Sequence, residues 1–243
     1  MTRRPYSPSQ LAVAACQRRW HFRYVQGVKD PRPKPGAEFG ARAHKQLELY
    51  HRHGTPPALE TPEGRAAASG LHLNPPPRTL RAERTYRFHC AGMDFLCIVD
   101  LSGLVPDGET ALVYDHKFLS DPHKYGLTSE SMLEDPQVLM CAAAVMGDYR
   151  TGRAQCTWIY YSKSGKSEES FAIVCTITKN HLLEVFPDLI LEPAERLEEV
   201  RRLPIAQVPP HLGHCHDYNQ ECAYLDQCQS AVWQAGHTRA RER

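Results

Sequence analysis

The sequence predicts a single α/β domain whose sheet begins antiparallel. Three observations predict it. The hydrophobic period changes from helical to alternating near residue 80, and Asp107-Gly108 marks a turn between two nearly continuous apolar runs. A helix with its own start signal, Asp135-Pro136, then separates those runs from two further strand-like segments.

The elements follow in order. Residues 8–26 carry Leu11, Ala14, Ala15, Arg18, Phe22 and Val25 at helical spacing, with Ser7 or Ser9 as cap and Pro8 in the first turn. Residues 27–36 form a Pro-rich connector. A second helix at about 37–53 places Phe39, Ala43, Leu47 and Tyr50 on one stripe. Residues 54–79, with six prolines and three glycines, read as an irregular insertion. Strands follow at 80–90, 93–101 and 110–118, a helix at 136–147, strands at 155–162 and 170–177, and a charged helix at 180–202 before a Cys-rich end.

Composition narrows the function classes. Of 243 residues, 42% are hydrophobic and 23% charged, which excludes wholesale disorder. Mean hydropathy is −0.50, no run approaches the roughly 18 apolar residues of a membrane span, and the N-terminus has no apolar leader. A soluble, intracellular protein is expected. Residues 1–52 hold eleven Lys/Arg against three Asp/Glu, a balance of +8 that leaves −7 for the other 191 residues of a chain with net charge +1. A basic segment on a neutral chain suits a polyanion such as DNA, or is a solvated helix face.

The turn at Asp107-Gly108 pairs residue i with 215 − i, which sets Asp100 opposite Asp115. Like charges facing across a ladder are unfavourable. Asp100 shares a face with Leu96 and Ile98, so the pattern points it inward, and Lys117 projects from the face of Asp115. Two carboxylates and an ammonium taken from water need pairing or a cation. A divalent ion bridging Asp100 and Asp115 compensates them, with Mg²⁺ or Mn²⁺ suited to hard oxygen ligands; a surface salt bridge is the alternative.

These residues resemble the PD-(D/E)XK nuclease superfamily, in particular its RecB-like exonuclease branch. That branch carries a helical His, an Asp ending a core strand, and Asp-x-Lys on the next strand; here these match His44 in Gly36-Ala-Glu-Phe-Gly-Ala-Arg-Ala-His44, Asp100, and Asp115-His116-Lys117. Gln137 matches a later motif, but Cys141 stands where a Tyr is expected, and Phe118 departs from the common Thr. The resemblance implies a restriction-endonuclease-like core, a central mixed sheet flanked by helices. It implies one nuclease domain over 1–243, with a basic helical segment 1–53, the insertion 54–79, a catalytic core 80–178, and a C-terminal helix and clasp at 180–230. His44, Asp100, Asp115 and the His116 carbonyl would bind Mg²⁺ or Mn²⁺, Lys117 would position water, and Gln137 would hold the strand. Glu83 sits where relatives often carry an acid. The implied activity is exonucleolytic, on single-stranded or unwound DNA, in recombination or repair, CRISPR adaptation or phage DNA processing. The implied setting is a bacterium, archaeon or phage, with a helicase or recombination partner or an oligomer fitting the family. A DNA-binding factor without strong catalysis and a zinc-binding module are the competing classes.

Nine cysteines, an odd count, argue against a full disulfide framework. Cys90, Cys97, Cys141, Cys156 and Cys175 lie in apolar segments and read as small core residues. Cys215-x₆-Cys222-x₅-Cys228, with Cys16 about 200 residues upstream, is similar to the clasp of AddB-type and CRISPR-adaptation nucleases. That likeness implies a 4Fe–4S cluster joining the N- and C-terminal segments. Four thiolates also suit Zn²⁺, with His214 or His216 as further candidates. Finally, Arg18, Arg19, Arg23, Lys29, Arg32 and Lys34 interleave with Trp20, His21, Phe22 and Tyr24, as single-stranded nucleic acid recognition requires. Trp20 and Phe22 serve equally well as core residues.

Overall fold

The computed structural model describes residues 4–30, 32, 35–166, 169–215 and 221–229. Along them run α1 (Pro8–Leu11), α2 (Gln17–Trp20), α3 (Pro35–His53) and α4 (Pro62–Ser69). Strands β1 (Arg81–Cys90), β2 (Met93–Leu104) and β3 (Thr110–Leu119) come next, then α5 (Pro122–Tyr125), α6 (Ser129–Met132) and α7 (Pro136–Tyr149). The order ends with β4 (Arg153–Ser162), β5 (Phe171–Thr178), α8 (Lys179–Phe186) and α9 (Glu192–Arg201). The chain divides into two compact units, Met1–Pro5 with Lys34–Phe186 and Tyr6–Pro33 with Pro187–Arg243, where the sequence suggested one. His216 and Lys34 lie outside the described residues.

The first unit is built on a five-stranded mixed sheet in the order β1-β2-β3-β4-β5. Only β3 and β4 are parallel, and their connection carries α5–α7, as a parallel crossover requires. The Asp107-Gly108 register is observed: Leu101 pairs with Tyr114 and Leu104 with Ala111. The loop is longer than the two residues expected. Val105 N bonds Thr110 O, Gly108 N bonds Val105 O, and Gly108 takes φ +75°. A four-residue connection keeps the same 215 − i relation because residues are added symmetrically about its centre.

Helix α7 packs on β2, β3 and β4. Its start is the expected one: the Asp135 carboxylate accepts from Gln137 N and Val138 N, with Pro136 in the first turn. A second cluster joins Ala43 and Leu47 of α3 and Ala66 and Ala67 of α4 to Phe118, Ile159 and Tyr161 of the sheet. The insertion is therefore partly helical. Thr61 accepts from Gly64 N and Pro62 opens α4; the same prolines that look like breakers act here as first-turn residues. Gly64 is required, because a Cβ there would lie 1.9 Å from Ala58 O.

In the second unit the expected helix 8–26 is interrupted. Cys16 adopts extended backbone before α2, and a π-helical turn spans His21–Val25. Tertiary partners override propensity here: Trp20 and Phe22 are buried, Tyr6 stacks on Trp20, and Phe22 stacks on Tyr224 at 5.6 Å. Tyr6 OH donates to Glu198 at 2.8 Å. Likewise the expected helix 180–202 is α8, a π-helical turn at Pro187–Leu191, and α9. Pro187 and Pro193 each lack the N–H that would continue an α-helical ladder. Among the described residues no helix is long and apolar enough to cross a membrane.

Candidate metal centre

The site lies where β2 and β3 stop pairing. Beyond the last pair, Leu101 with Tyr114, Asp100 and Asp115 come next in register, and the ladder gives way to a side-chain bond. His116 N donates to Asp100 Oδ2 at 2.7 Å. Asp100 is buried, though not by the expected alternation, since Ile98 is 52% exposed. Residues 99–103 are buried without a break, and two imidazoles close over the carboxylate. His44 Nδ1 of α3 lies 3.4 Å from Asp100 Oδ2, and His116 Nδ1 of β3 lies 3.3 Å from it. Among the described residues, His44, Asp100 and His116 form a group whose donor atoms all lie within 4.8 Å of one another. This donor set fits a divalent cation.

On the α7 side of β3, a second set forms. Lys117 Nζ lies 2.6 Å from Asp115 Oδ2 and donates to Gln137 Oε1 at 2.9 Å, while Gln137 Nε2 donates to Asp115 Oδ1 at 2.7 Å. Gln137 thus bridges the acid and the lysine. The structure brings together Asp100, His44 and His116 in one group, and Asp115, Lys117 and Gln137 in another. Alternation along β3 separates the two groups, with His116 and Phe118 turned toward α3 and α4.

Electrostatics follow from burial and these partners. Burial alone would raise the Asp100 carboxyl, but the hydrogen bond and charge of His116, together with His44, outweigh it and hold the group low. Asp115 is pushed up by burial, with the Asp100 charge adding to it and Lys117 opposing. Burial works against the Lys117 charge, yet the Asp115 carboxylate holds its ammonium above the usual lysine value. His44 is lowered, mainly by burial, with the charge of Asp100 opposing. Glu83 falls in register opposite Asp100, between the pairs Ala82 with Leu101 and Arg84 with Val99, but twists to φ +51° and is not paired. Burial, then the charges of Asp100 and Glu48, push it up to about 7.

Sequence reasoning missed the residues behind this site. Asn74 Oδ1 accepts from His116 Nε2 at 2.9 Å and from His51 Nε2 at 3.1 Å; Asn74 Nδ2 donates to Gly70 O and to Tyr161 OH. The His51 ring stacks on His116 at 5.8 Å and 9°. One signal was available: His51 lies two helical turns after His44, on the stripe of Ala43 and Leu47.

In the second unit, Cys16, Cys215, Cys222 and Cys228 line one cavity, and none is in a disulfide. The donor set fits an iron–sulfur cluster or zinc. Arg18 does not project to solvent as a DNA contact would. It is buried, with Nε donating to Val208 O at 2.8 Å and Nη1 to Cys228 O at 3.4 Å and Sγ at 3.7 Å. Arg23 is exposed over the Tyr24 ring, and Arg19 is half-buried. Trp20 and Phe22 are core residues, not stacking platforms. Cys97, Cys141, Cys156 and Cys175 are buried as expected, whereas Cys90 is half-buried; the thiol of Cys141 faces that of Cys97.

Residues 5–71 match the family model of the PD-(D/E)XK nuclease superfamily. The mixed five-stranded sheet flanked by helices is consistent with the restriction-endonuclease-like fold of that superfamily. A crystal structure from Eubacterium rectale, of a protein named for an inferred exonuclease activity, shares it at TM-score 0.56 and 11% identity, covering 93% of this chain and 87% of that one. A phage-related exonuclease from Haemophilus somnus 129PT aligns at TM-score 0.37 and 13% identity, over 81% of this chain and 95% of that one. No curated protein matches the sequence.

Proposed function

We propose that the chain is a divalent-metal-dependent deoxyribonuclease that hydrolyses phosphodiester bonds, working from ends on single-stranded or unwound DNA. One observation carries this reading: a His/Asp/His donor set and an Asp–Lys–Gln set meet at the point where β2 and β3 separate. His44, Asp100 and His116, with Asp115, would hold Mg²⁺ or Mn²⁺, and Glu83 borders them. A bound ion supplies Lewis acidity toward the phosphodiester and toward water. Lys117 has three N–H donors. Asp115 and Gln137 take two, and the third is left to orient a water or a phosphate oxygen. Gln137 positions Lys117 against Asp115. The exonuclease mode is supported by the Eubacterium rectale neighbour's name. Arg19 and Arg23 are the candidates for phosphate contacts from the basic segment.

The cysteine cavity is read as the seat of a 4Fe–4S cluster held by Cys16, Cys215, Cys222 and Cys228, pinning the N-terminal segment to the C-terminal one. The bond from Arg18 to Cys228 Sγ supports a thiolate there. Cleavage of end-labelled linear single-stranded DNA with Mn²⁺, by anaerobically purified wild type beside Lys117→Ala, tests the function. Cleavage by wild type alone is expected, with both proteins binding DNA. Equal cleavage by the variant overturns the assignment of Lys117, and binding without cleavage by either protein overturns the enzyme reading.

A further inference from the structure

We infer that the His116 side chain, oriented by Asn74 and His51, is itself a metal ligand, and that this gives the centre a preference for Mn²⁺ over Mg²⁺. The inference deepens the nuclease reading and rests on its ion site.

The argument starts from Asn74. Its amide orientation is fixed, because the contact to Gly70 O demands the NH₂ group there. Oδ1 therefore faces His116 Nε2 and His51 Nε2, and both rings must carry their proton on Nε2. The ring's other nitrogen, Nδ1, is then the atom turned to the carboxylate, 3.3 Å from Asp100 Oδ2. The spacing is longer than the roughly 2.8 Å of a charge-assisted hydrogen bond. It is close to the roughly 3 Å edge between neighbouring ligands on an ion with bonds of about 2.1–2.3 Å. His44 Nδ1 approaches the same oxygen at 3.4 Å. His51, stacked flat on His116, and Tyr161 OH, bonded to Asn74, support the ring in this orientation. Two imidazoles on one ion select against Mg²⁺, which favours oxygen ligands and retained water.

Metal-free full-chain protein is titrated calorimetrically with MnCl₂ and with MgCl₂, and the Mn²⁺-loaded protein is examined by pulsed EPR for directly bound ¹⁴N. Wild type is expected to show two imidazole nitrogens and at least tenfold tighter binding of Mn²⁺ than of Mg²⁺. His116→Phe, which keeps an aromatic ring, is expected to show one nitrogen and at least tenfold weaker Mn²⁺ binding, with Mg²⁺ affinity within about twofold. Asn74→Leu should weaken Mn²⁺ binding about 10–100-fold, as loss of a ligand-orienting partner does, and should move the His116 proton toward Nδ1 in ¹⁵N NMR, which a purely structural role would not do. One bound nitrogen in wild type overturns the inference without any variant having to fold. If Mn²⁺ binding survives His116→Phe but not Asp100→Asn, this inference fails and the ion site stands. If it survives Asp100→Asn and His44→Ala as well, the nuclease centre itself is refuted.

Discussion

His51 makes the stability of the first unit depend on pH with a predictable sign. It is 2% exposed and faces no carboxylate directly. Asn74 bonds its Nε2 and the His116 ring covers it, while the Tyr50 ring meets its edge and Asp100 acts only at a distance. Burial first, and the neighbouring His116 second, lower it from 6.5 to about 4. The unfolded chain therefore binds a proton between those values while the folded one does not. By linkage, stability is full above pH 6.5 and falls as pH drops toward 4. The shift corresponds to roughly 3 kcal/mol across the whole window, of which about 2 kcal/mol is lost between pH 7.5 and 5. His51→Gln keeps an N–H for Asn74 Oδ1 but cannot titrate. Urea unfolding of the metal-free protein at the two pH values should show wild type losing about 2 kcal/mol more than His51→Gln. An equal loss in both proteins would refute the argument that His51 is held neutral by its surroundings.

Other outcomes follow from the same contacts. Gln137→Leu removes the bridge between Asp115 and Lys117 and should lower kcat about 10–100-fold with KM for single-stranded DNA little changed, measured by steady-state cleavage. Cys16→Ser should strip iron and acid-labile sulfide from anaerobically purified protein and lower its Tm; zinc without iron in wild type would replace the cluster reading. Arg18→Met leaves the carbonyls of Val208 and Ala206 without a donor, and a loss of about 1–3 kcal/mol is expected in urea unfolding.

How much of this was legible in the sequence depended on whether the information was local. The β2–β3 register was legible because a turn fixes pairing by symmetry, so that four loop residues in place of two left Asp100 and Asp115 in the same relation. The α7 start was legible because Asp135 and Pro136 act on their immediate neighbours. Helix α4 has the same kind of signal in Thr61-Pro62, but a dense run of prolines and glycines obscured it. Arg18 was misjudged because an arginine at helical spacing says nothing of carbonyls 188 and 190 residues away. Asn74 was invisible for the same reason. Its partners His116 and Tyr161 lie 42 and 87 residues on, and no pattern within residues 54–79 announces them.

The arrangement of β3 explains why the chemistry divides as it does. Consecutive residues on a strand face opposite ways, so Asp115-His116-Lys117 sends its acid and its lysine toward α7 and its histidine toward α3. A side chain that only packed at position 116 would leave Asp100 with a backbone N–H and one imidazole. His116 instead gives Asp100 a backbone N–H at 2.7 Å and a ring nitrogen at 3.3 Å from one residue. That single histidine couples the buried polar network of Asn74, His51 and Tyr161 to the carboxylate most central to the site. Leaving any member of such a network unsatisfied in a low-dielectric interior is costly. The candidate metal centre is therefore held in shape from behind, by Asn74, His51 and Tyr161.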